Sequence, residues 1–284
     1  MTTWGEARRS AADRLRTGAD PATAALDADV LLAFALGVGK EQLFAHPERP
    51  LSPETEGHFA ALVERRHAGE PVAYLRGFKE FYGQRFRVDR RVLIPRPETE
   101  TLVEEARRFI AGRPLTVVDV GTGSGAIACS IALHERRARV IATDVSADAL
   151  AVAAANALAL GVGERVELRQ GDLLAPVDEQ VDVVCANLPY LRADALGDLR
   201  GERTSLAFEP NVAVVAGSDG LDLVRRCIGD LRRVLAPEGA AFFECDPPQA
   251  ALIAALLEQQ GLRARVARDL AGNDRVVEGA KRPI

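Results

Sequence analysis

Asn187-Leu188-Pro189-Tyr190 is the stretch of this chain best equipped for chemistry, because it follows an apolar run, Val181 to Ala186, that reads as a buried strand. The asparagine offers a carbonyl acceptor, the proline fixes the backbone so that the preceding carbonyl points outward, and the tyrosine supplies a flat face. Such a set can hold a planar amino group. An amide or exocyclic base nitrogen is a poor nucleophile because its lone pair is delocalised, so an enzyme that alkylates one must accept its two hydrogens and align an electrophile. The plain alternative is a β-turn in which Asn187 and Pro189 only form the turn.

A second constellation lies upstream. Leu115 to Val120 reads as a buried strand and Ala126 to Arg136 as a helix, joined by Gly121-Thr122-Gly123-Ser124-Gly125. Glycines permit positive φ and close approach of a ligand, and the helix start offers unpaired N–H groups. The pattern Gly121-x-Gly123-x-x-Ala126 also satisfies the relaxed dinucleotide fingerprint, with Asp144 at the spacing of a ribose-binding acid. Asp119 favours a different cofactor, since a carboxylate beside the loop repels a pyrophosphate but can accept from an ammonium. Asp144, ending a strand over 140–144, can take both ribose hydroxyls. Asp172, in Gly171-Asp172-Leu173 at the end of a third strand, can accept from an adenine amine. S-adenosylmethionine carries an ammonium, a sulfonium and no phosphate, and three acids at three successive strand ends suit it. Simple capping of the next helix or turn is the alternative for Asp144 and Asp172.

The elements that must position these residues alternate from Leu115 onward: strand 140–144, helix 147–160, strands 165–170 and 181–186, helix 220–235, strand 240–245, helix 248–260 and strands 263–268 and 275–279. This alternation marks a doubly wound parallel sheet, whose ligands bind beyond the carboxyl ends of the strands. Before it, residues 3–69 show helical patterns broken at 18–21, 37–39 and 46–53, with Leu26, Val30, Leu31, Phe34 and Leu36 as one apolar face. Phe78 to Val92 reads as a hairpin turning near Gly83. Glu98, Glu100 and Glu104 enrich the start of the following helix, which suits its dipole.

With Asn156 and the GDLL segment added, these motifs resemble a Rossmann-like, S-adenosylmethionine-dependent amino methyltransferase. Pro71-Val72-Ala73-Tyr74-Leu75, Lys79-Glu80-Phe81-Tyr82-Gly83, the run from Ile94 to Glu100 (IPRPETE) and the run from Asp269 to Val277 narrow the resemblance to the protein-(glutamine) methyltransferases that modify peptide chain release factors. The resemblance implies an α/β fold with a seven-stranded methyltransferase sheet, its last strand antiparallel, and a small N-terminal helical domain. It implies a substrate-recognition domain over 1–75, a hairpin and linker over 76–97, and a methyltransferase domain over 98–284. It carries cofactor binding onto Asp119, Gly121, Thr122, Gly123, Ser124, Gly125, Asp144, Asp172, Leu173 and Asn187, and substrate positioning onto Asn187, Leu188, Pro189 and Tyr190. Leu188 stands where the family usually has proline. Because Pro189 keeps it extended and its carbonyl stays available, the departure bears on substrate more than on chemistry. Two other activities fit parts of the pattern: an RNA or DNA adenine amino methyltransferase, and a noncatalytic S-adenosylmethionine-binding protein.

Composition narrows the partners. A net charge of −5 argues against broad nucleic-acid binding, although Arg85, Arg87, Arg90, Arg91 and Arg96 cluster locally. Cys129, Cys185, Cys227 and Cys245 form no C-x-x-C pair and sit among apolar residues, as expected of reduced thiols in a cytoplasmic protein. His46, His58, His67 and His134 are scattered, so no catalytic metal is expected. No apolar run approaches the roughly 20 residues of a membrane span.

Overall fold

The computed structural model describes residues 1–190, 205–210, 217 and 219–281. Residues 191–204, 211–216, 218 and 282–284 of the expected methyltransferase part lie outside the described residues. Chain contacts divide the molecule after Phe78, residues 205–209 grouping with the first unit.

The first unit is helical: α1 (Trp4–Leu15), α2 (Ala24–Leu36), α3 (Lys40–Ala45), α4 (Pro53–His67) and α5 (Val72–Arg76). Thr3 starts α1 with a capping box, its Oγ1 accepting from the Glu6 N–H while the Glu6 side chain accepts from the Thr3 N–H at 2.8 Å. Ser52 caps α4 ahead of Pro53, and Gly37 ends α2 in the left-handed region. The buried face of α2 is Ala24, Ala28, Leu31 and Leu32, packed against Leu15, Leu43, Phe59 and Leu62. Leu26, expected on that face, is 54% exposed. The helix is apolar nearly all round, so periodicity alone could not choose the face. The polar residue that does choose it is Asp27, buried against the equally buried Arg66, whose Nε donates to Asp27 Oδ2 at 2.7 Å and whose Nη2 donates to Asp20 Oδ2 at 2.7 Å.

The second unit begins with a short hairpin, β1 (Phe78–Phe81) and β2 (Gln84–Arg87), which ends five residues before the expected Val92. Tyr82 and Gly83 both adopt positive φ, the geometry of a two-residue turn that matches strand twist. After a 3-10 turn at Pro97–Thr99, α6 (Glu100–Ile110) anchors that turn: Glu100 accepts from the Tyr82 N–H and Glu104 from the Tyr82 hydroxyl. These acids therefore do more than answer the helix dipole.

The main sheet has seven strands: β3 (Thr116–Val120), β4 (Arg139–Asp144), β5 (Val166–Gln170), β6 (Val181–Ala186), β7 (Leu235–Glu244), β8 (Arg263–Arg268) and β9 (Asp274–Ala280). Their order is β5-β4-β3-β6-β7-β9-β8. The five strands β3 to β7 pair in parallel, and β9 lies antiparallel to β7 and β8. Val117, Val118, Val140, Ile141, Val183, Val184, Phe242 and Phe243 are fully buried, as a sheet covered on both faces requires. The layers are α7 (Ala126–His134), α8 (Ala147–Ala159), α9 (Asp222–Val234) and α10 (Ala250–Gln259), with α6 packing against β7 and β9. The strand order reverses at β3, which has β4 on one side and β6 on the other, and a crevice is expected there, beyond the carboxyl ends.

Candidate active site

A cavity of about 270 Å³ opens at that reversal. Gly121 and Gly123 follow β3, Asp144, Val145 and Ser146 follow β4, Asp172 and Leu173 follow β5, and Asn187, Leu188 and Pro189 follow β6; all line it. Apolar walls with a few convergent polar groups are the usual make-up of a small-ligand site.

The loop is built for close approach. A Cβ on Gly123 would meet nothing nearer than the Gly121 carbonyl oxygen at 4.0 Å, so the space above it is open. Gly125 is different: a Cβ there would lie 3.2 Å from Ala153 Cβ and 3.3 Å from Ala153 Cα, so this glycine lets α7 approach α8. Asp144 holds the loop from the other side. Its Oδ2 accepts from the Gly123 N–H and its Oδ1 from the Ser146 N–H, both at 2.9 Å, and each oxygen retains capacity to accept a further hydrogen bond. Asp172 pairs with Arg226. Leu173 takes φ of 52°, rare for a branched side chain, and its carbonyl is held by the Thr143 hydroxyl at 2.9 Å.

Asp119 departs from expectation. It does not line the cavity but lies fully buried, its Oδ2 accepting from the Thr122 hydroxyl at 2.6 Å and from the Ala128 N–H at 3.1 Å. Burial, with Asp144 nearby, pushes its carboxyl up to about 6. It acts first as the peg that ties β3 to the loop and the first turn of α7, and its Oδ1 has no hydrogen-bond partner among the described residues. Thr122, Ser124 and Gly125 also stand behind the cavity wall, Thr122 and Ser124 being buried.

At the tetrapeptide, Asn187 Nδ2 donates to Thr99 Oγ1 at 3.0 Å, which leaves its Oδ1 as the group free to accept. Leu188 is buried, its side chain lying over Gly121. Tyr190 is half-buried outside the cavity, among Glu244, Arg275, Arg96 and Asp246, and its carbonyl accepts from Gln249 Nε2 at 3.3 Å. Cys185 sits two residues before Asn187, but burial raises its thiol well above the usual range, so it is no thiolate nucleophile.

Two models of known families match the chain, the PrmC N-terminal domain over residues 6–77 and the methyltransferase small domain over residues 99–199. The release factor glutamine methyltransferase of Cereibacter sphaeroides is 42% identical over 274 residues, 96% of either chain. That of Bordetella pertussis is 43% identical over 269 residues, 92% of this chain and 96% of the other. The chain belongs to the release factor glutamine methyltransferase family. A methyltransferase from Pyrococcus furiosus, 16% identical, superposes with a TM-score of 0.53 over 78% of this chain and 97% of its own, a likeness of fold alone.

In this release factor glutamine methyltransferase family member, several residues shape the site in ways their motifs did not reveal in sequence. Thr99, inside the PETE motif, holds Asn187, and Gln249 holds the Tyr190 carbonyl. Asn156, named in sequence only for the resemblance, staples two segments, its Oδ1 accepting from the Arg87 N–H at 2.8 Å and its Nδ2 donating to the carbonyls of Arg87 and Ser124. That contact brings Arg91, Val92 and Leu93 to the cavity wall. Of the clustered arginines, only Arg91 lines it. Among the described residues no helix is long and apolar enough to cross a membrane.

Proposed function

We propose that this protein transfers a methyl group from S-adenosylmethionine to the side-chain amide nitrogen of a glutamine in peptide chain release factors. The observation that carries this reading is the Asn187 amide, fixed through its Nδ2 by Thr99 so that a carbonyl acceptor remains at the wall of a cavity lined by Gly121, Gly123, Asp144 and Asp172. Membership of the release factor glutamine methyltransferase family supports the substrate.

The residues present fit the cofactor. Asp144 offers two oxygens for ribose hydroxyls, Asp172 and the backbone of Leu173 suit an adenine edge, and the open space over Gly123 admits a ligand against the backbone. When bound, S-adenosylmethionine supplies an electrophilic sulfonium methyl. Asn187 Oδ1 and the Leu188 carbonyl accept the two amide hydrogens of the glutamine and aim its nitrogen. Pro189 holds the turn, and Tyr190 packs on the amide plane. Catalysis is then mainly positioning, worth several kcal/mol when the reacting atoms are held at near-attack distance, and the proton departs after transfer. Residues before about Phe78 recognise the protein substrate, since one glutamine offers too little surface for specificity.

The test is mass spectrometry of a recombinant release factor incubated with the protein and S-adenosylmethionine. One added methyl on a glutamine is expected. An unmodified release factor beside a methylated RNA or DNA adenine would transfer the site to the nucleic-acid class.

A further inference from the structure

Behind Asn187 the polar groups continue past Thr99 to a buried carboxyl that no step above uses. Asn187 Nδ2 donates to Thr99 Oγ1, and on the far side of Thr99 lies the carboxyl of Glu244, the last residue of β7, close enough to interact with the hydroxyl. Thr99 and Glu244 are both buried, and Glu244 Oε2 has no hydrogen-bond partner among the described residues. A carboxylate sealed in this way is costly, and a fold that only needed a strand end would be served as well by an apolar residue.

We propose that Thr99 and Glu244 are positioning residues that set the polarity of the Asn187 amide, turning its carbonyl, and not its NH₂, toward the substrate. This rests on the amide-clamp reading above. A hydroxyl has one hydrogen. When Glu244 is ionised it accepts that hydrogen, so Thr99 Oγ1 can only accept from Asn187, and the asparagine must present Nδ2 to Thr99 and Oδ1 outward. When Glu244 is protonated it can donate to Thr99 Oγ1, which frees the threonine hydrogen to bond Asn187 Oδ1. The amide can then flip and offer two N–H donors where the substrate also has two, a mismatch that leaves polar groups unpaired.

The surroundings make this change accessible near neutrality. Burial pushes the Glu244 carboxyl up to about 7, opposed by the Thr99 hydroxyl and Arg275, with Glu98 raising it and Arg96 lowering it. Tyr190 also faces it. The ionised, correctly polarised state is therefore the one present on the alkaline side.

The experiment measures kcat and KM of the full-length protein on a recombinant release factor, from about pH 5.5 to about pH 8.5, for wild type, Thr99→Ser, Thr99→Val and Glu244→Gln. Wild type should lose kcat as pH falls through about 7. Thr99→Val should lower kcat roughly 10-fold or more with S-adenosylmethionine affinity unchanged, and Thr99→Ser should return it to within about threefold of wild type. Glu244→Gln should abolish the acid limb whatever its plateau. In parallel, ¹³C NMR of the Glu244 carboxyl should report its ionisation in wild type and a higher midpoint in Thr99→Val, without requiring turnover. An acid limb that persists in Glu244→Gln, or equal losses in the serine and valine variants, would overturn the relay. Absence of wild-type turnover on any release factor at about pH 8, with the NMR shift intact, would instead overturn the substrate reading.

Discussion

Gly123 and Gly125 stand two residues apart in one loop, both with positive φ, yet they should fail in different ways when substituted. At Gly125 an added Cβ would lie 3.2 Å from Ala153 Cβ, 3.3 Å from its Cα and 3.4 Å from Cys129 Sγ. Ala153 Cα is backbone in the middle of α8, so it cannot yield as a side-chain tip would. Positive φ costs an L-residue about 1–2 kcal/mol and overpacking adds roughly 1–3 kcal/mol, while reduced freedom of the unfolded chain returns about 0.4–1 kcal/mol. Gly125→Ala should therefore destabilise by about 1–5 kcal/mol. At Gly123 the packing contribution is absent, because only the Gly121 carbonyl lies at 4.0 Å, and Gly123→Ala should cost roughly 1 kcal/mol or less. Its Cβ would stand where the cofactor is expected, so Gly123→Val should weaken S-adenosylmethionine binding by at least about tenfold, or 1.4 kcal/mol. Urea denaturation measures the first effect and titration calorimetry the second. Equal destabilisation by the two alanine variants, or full cofactor affinity in Gly123→Val, would refute the division of this loop into a packing glycine and a ligand glycine.

Asn187→Ala should lower turnover on release factor by on the order of 10²-fold, with a much smaller change in cofactor affinity by calorimetry, because it removes the acceptor proposed to aim the nitrogen. Glu244 should also mark the pH dependence of stability. Its carboxyl lies at about 7 in the fold against 4.5 ordinarily, so the folded state binds the proton more tightly, and stability falls as pH rises between those values. Glu244→Gln removes that loss, and its stability relative to wild type should rise by up to about 3 kcal/mol from about pH 5 to about pH 8 in urea melts. Arg66→Met strands the buried Asp27 carboxylate and should cost about 3–5 kcal/mol, much of it recovered in Arg66→Met with Asp27→Leu; equal instability of both variants would show that the ion pair is not the cause.

The strands of the main sheet were legible because they are short apolar runs bounded by glycine and acid, and each acid of interest falls where a run stops. That logic located Asp144, Asp172 and Asn187 at the cavity. It could not separate Asp119 from them, since a strand-end acid reads the same whether it faces a ligand or pegs a loop; only the partners Thr122 and Ala128 distinguish the two. The face of α2 was illegible for a related reason, its residues being apolar on every side. The roles of Thr99, although it lies in the IPRPETE run, and of Glu244 were missed because no local pattern says what either side chain meets. Their roles come from an 88-residue separation closed by one hydrogen bond between Thr99 and Asn187, and from a strand end whose burial is decided by its neighbours.

The position of β9 divides the surroundings of the site between two stretches of the chain. The edge strand β8 pairs only with β9 among the described residues, and β9 is the element that follows it in the chain. Every described residue lining the cavity precedes Asp222 or lies at Leu223, so that wall comes from the stretch of chain ahead of β7, β8 and β9. The surroundings of Glu244 and Tyr190 do not, because Arg275 belongs to β9 and its Nη1 donates to the Cys245 carbonyl at 3.1 Å. The cavity wall and the charged surroundings behind Tyr190 are thus drawn from separate stretches of the chain, the second of them closed only by the antiparallel return of β9.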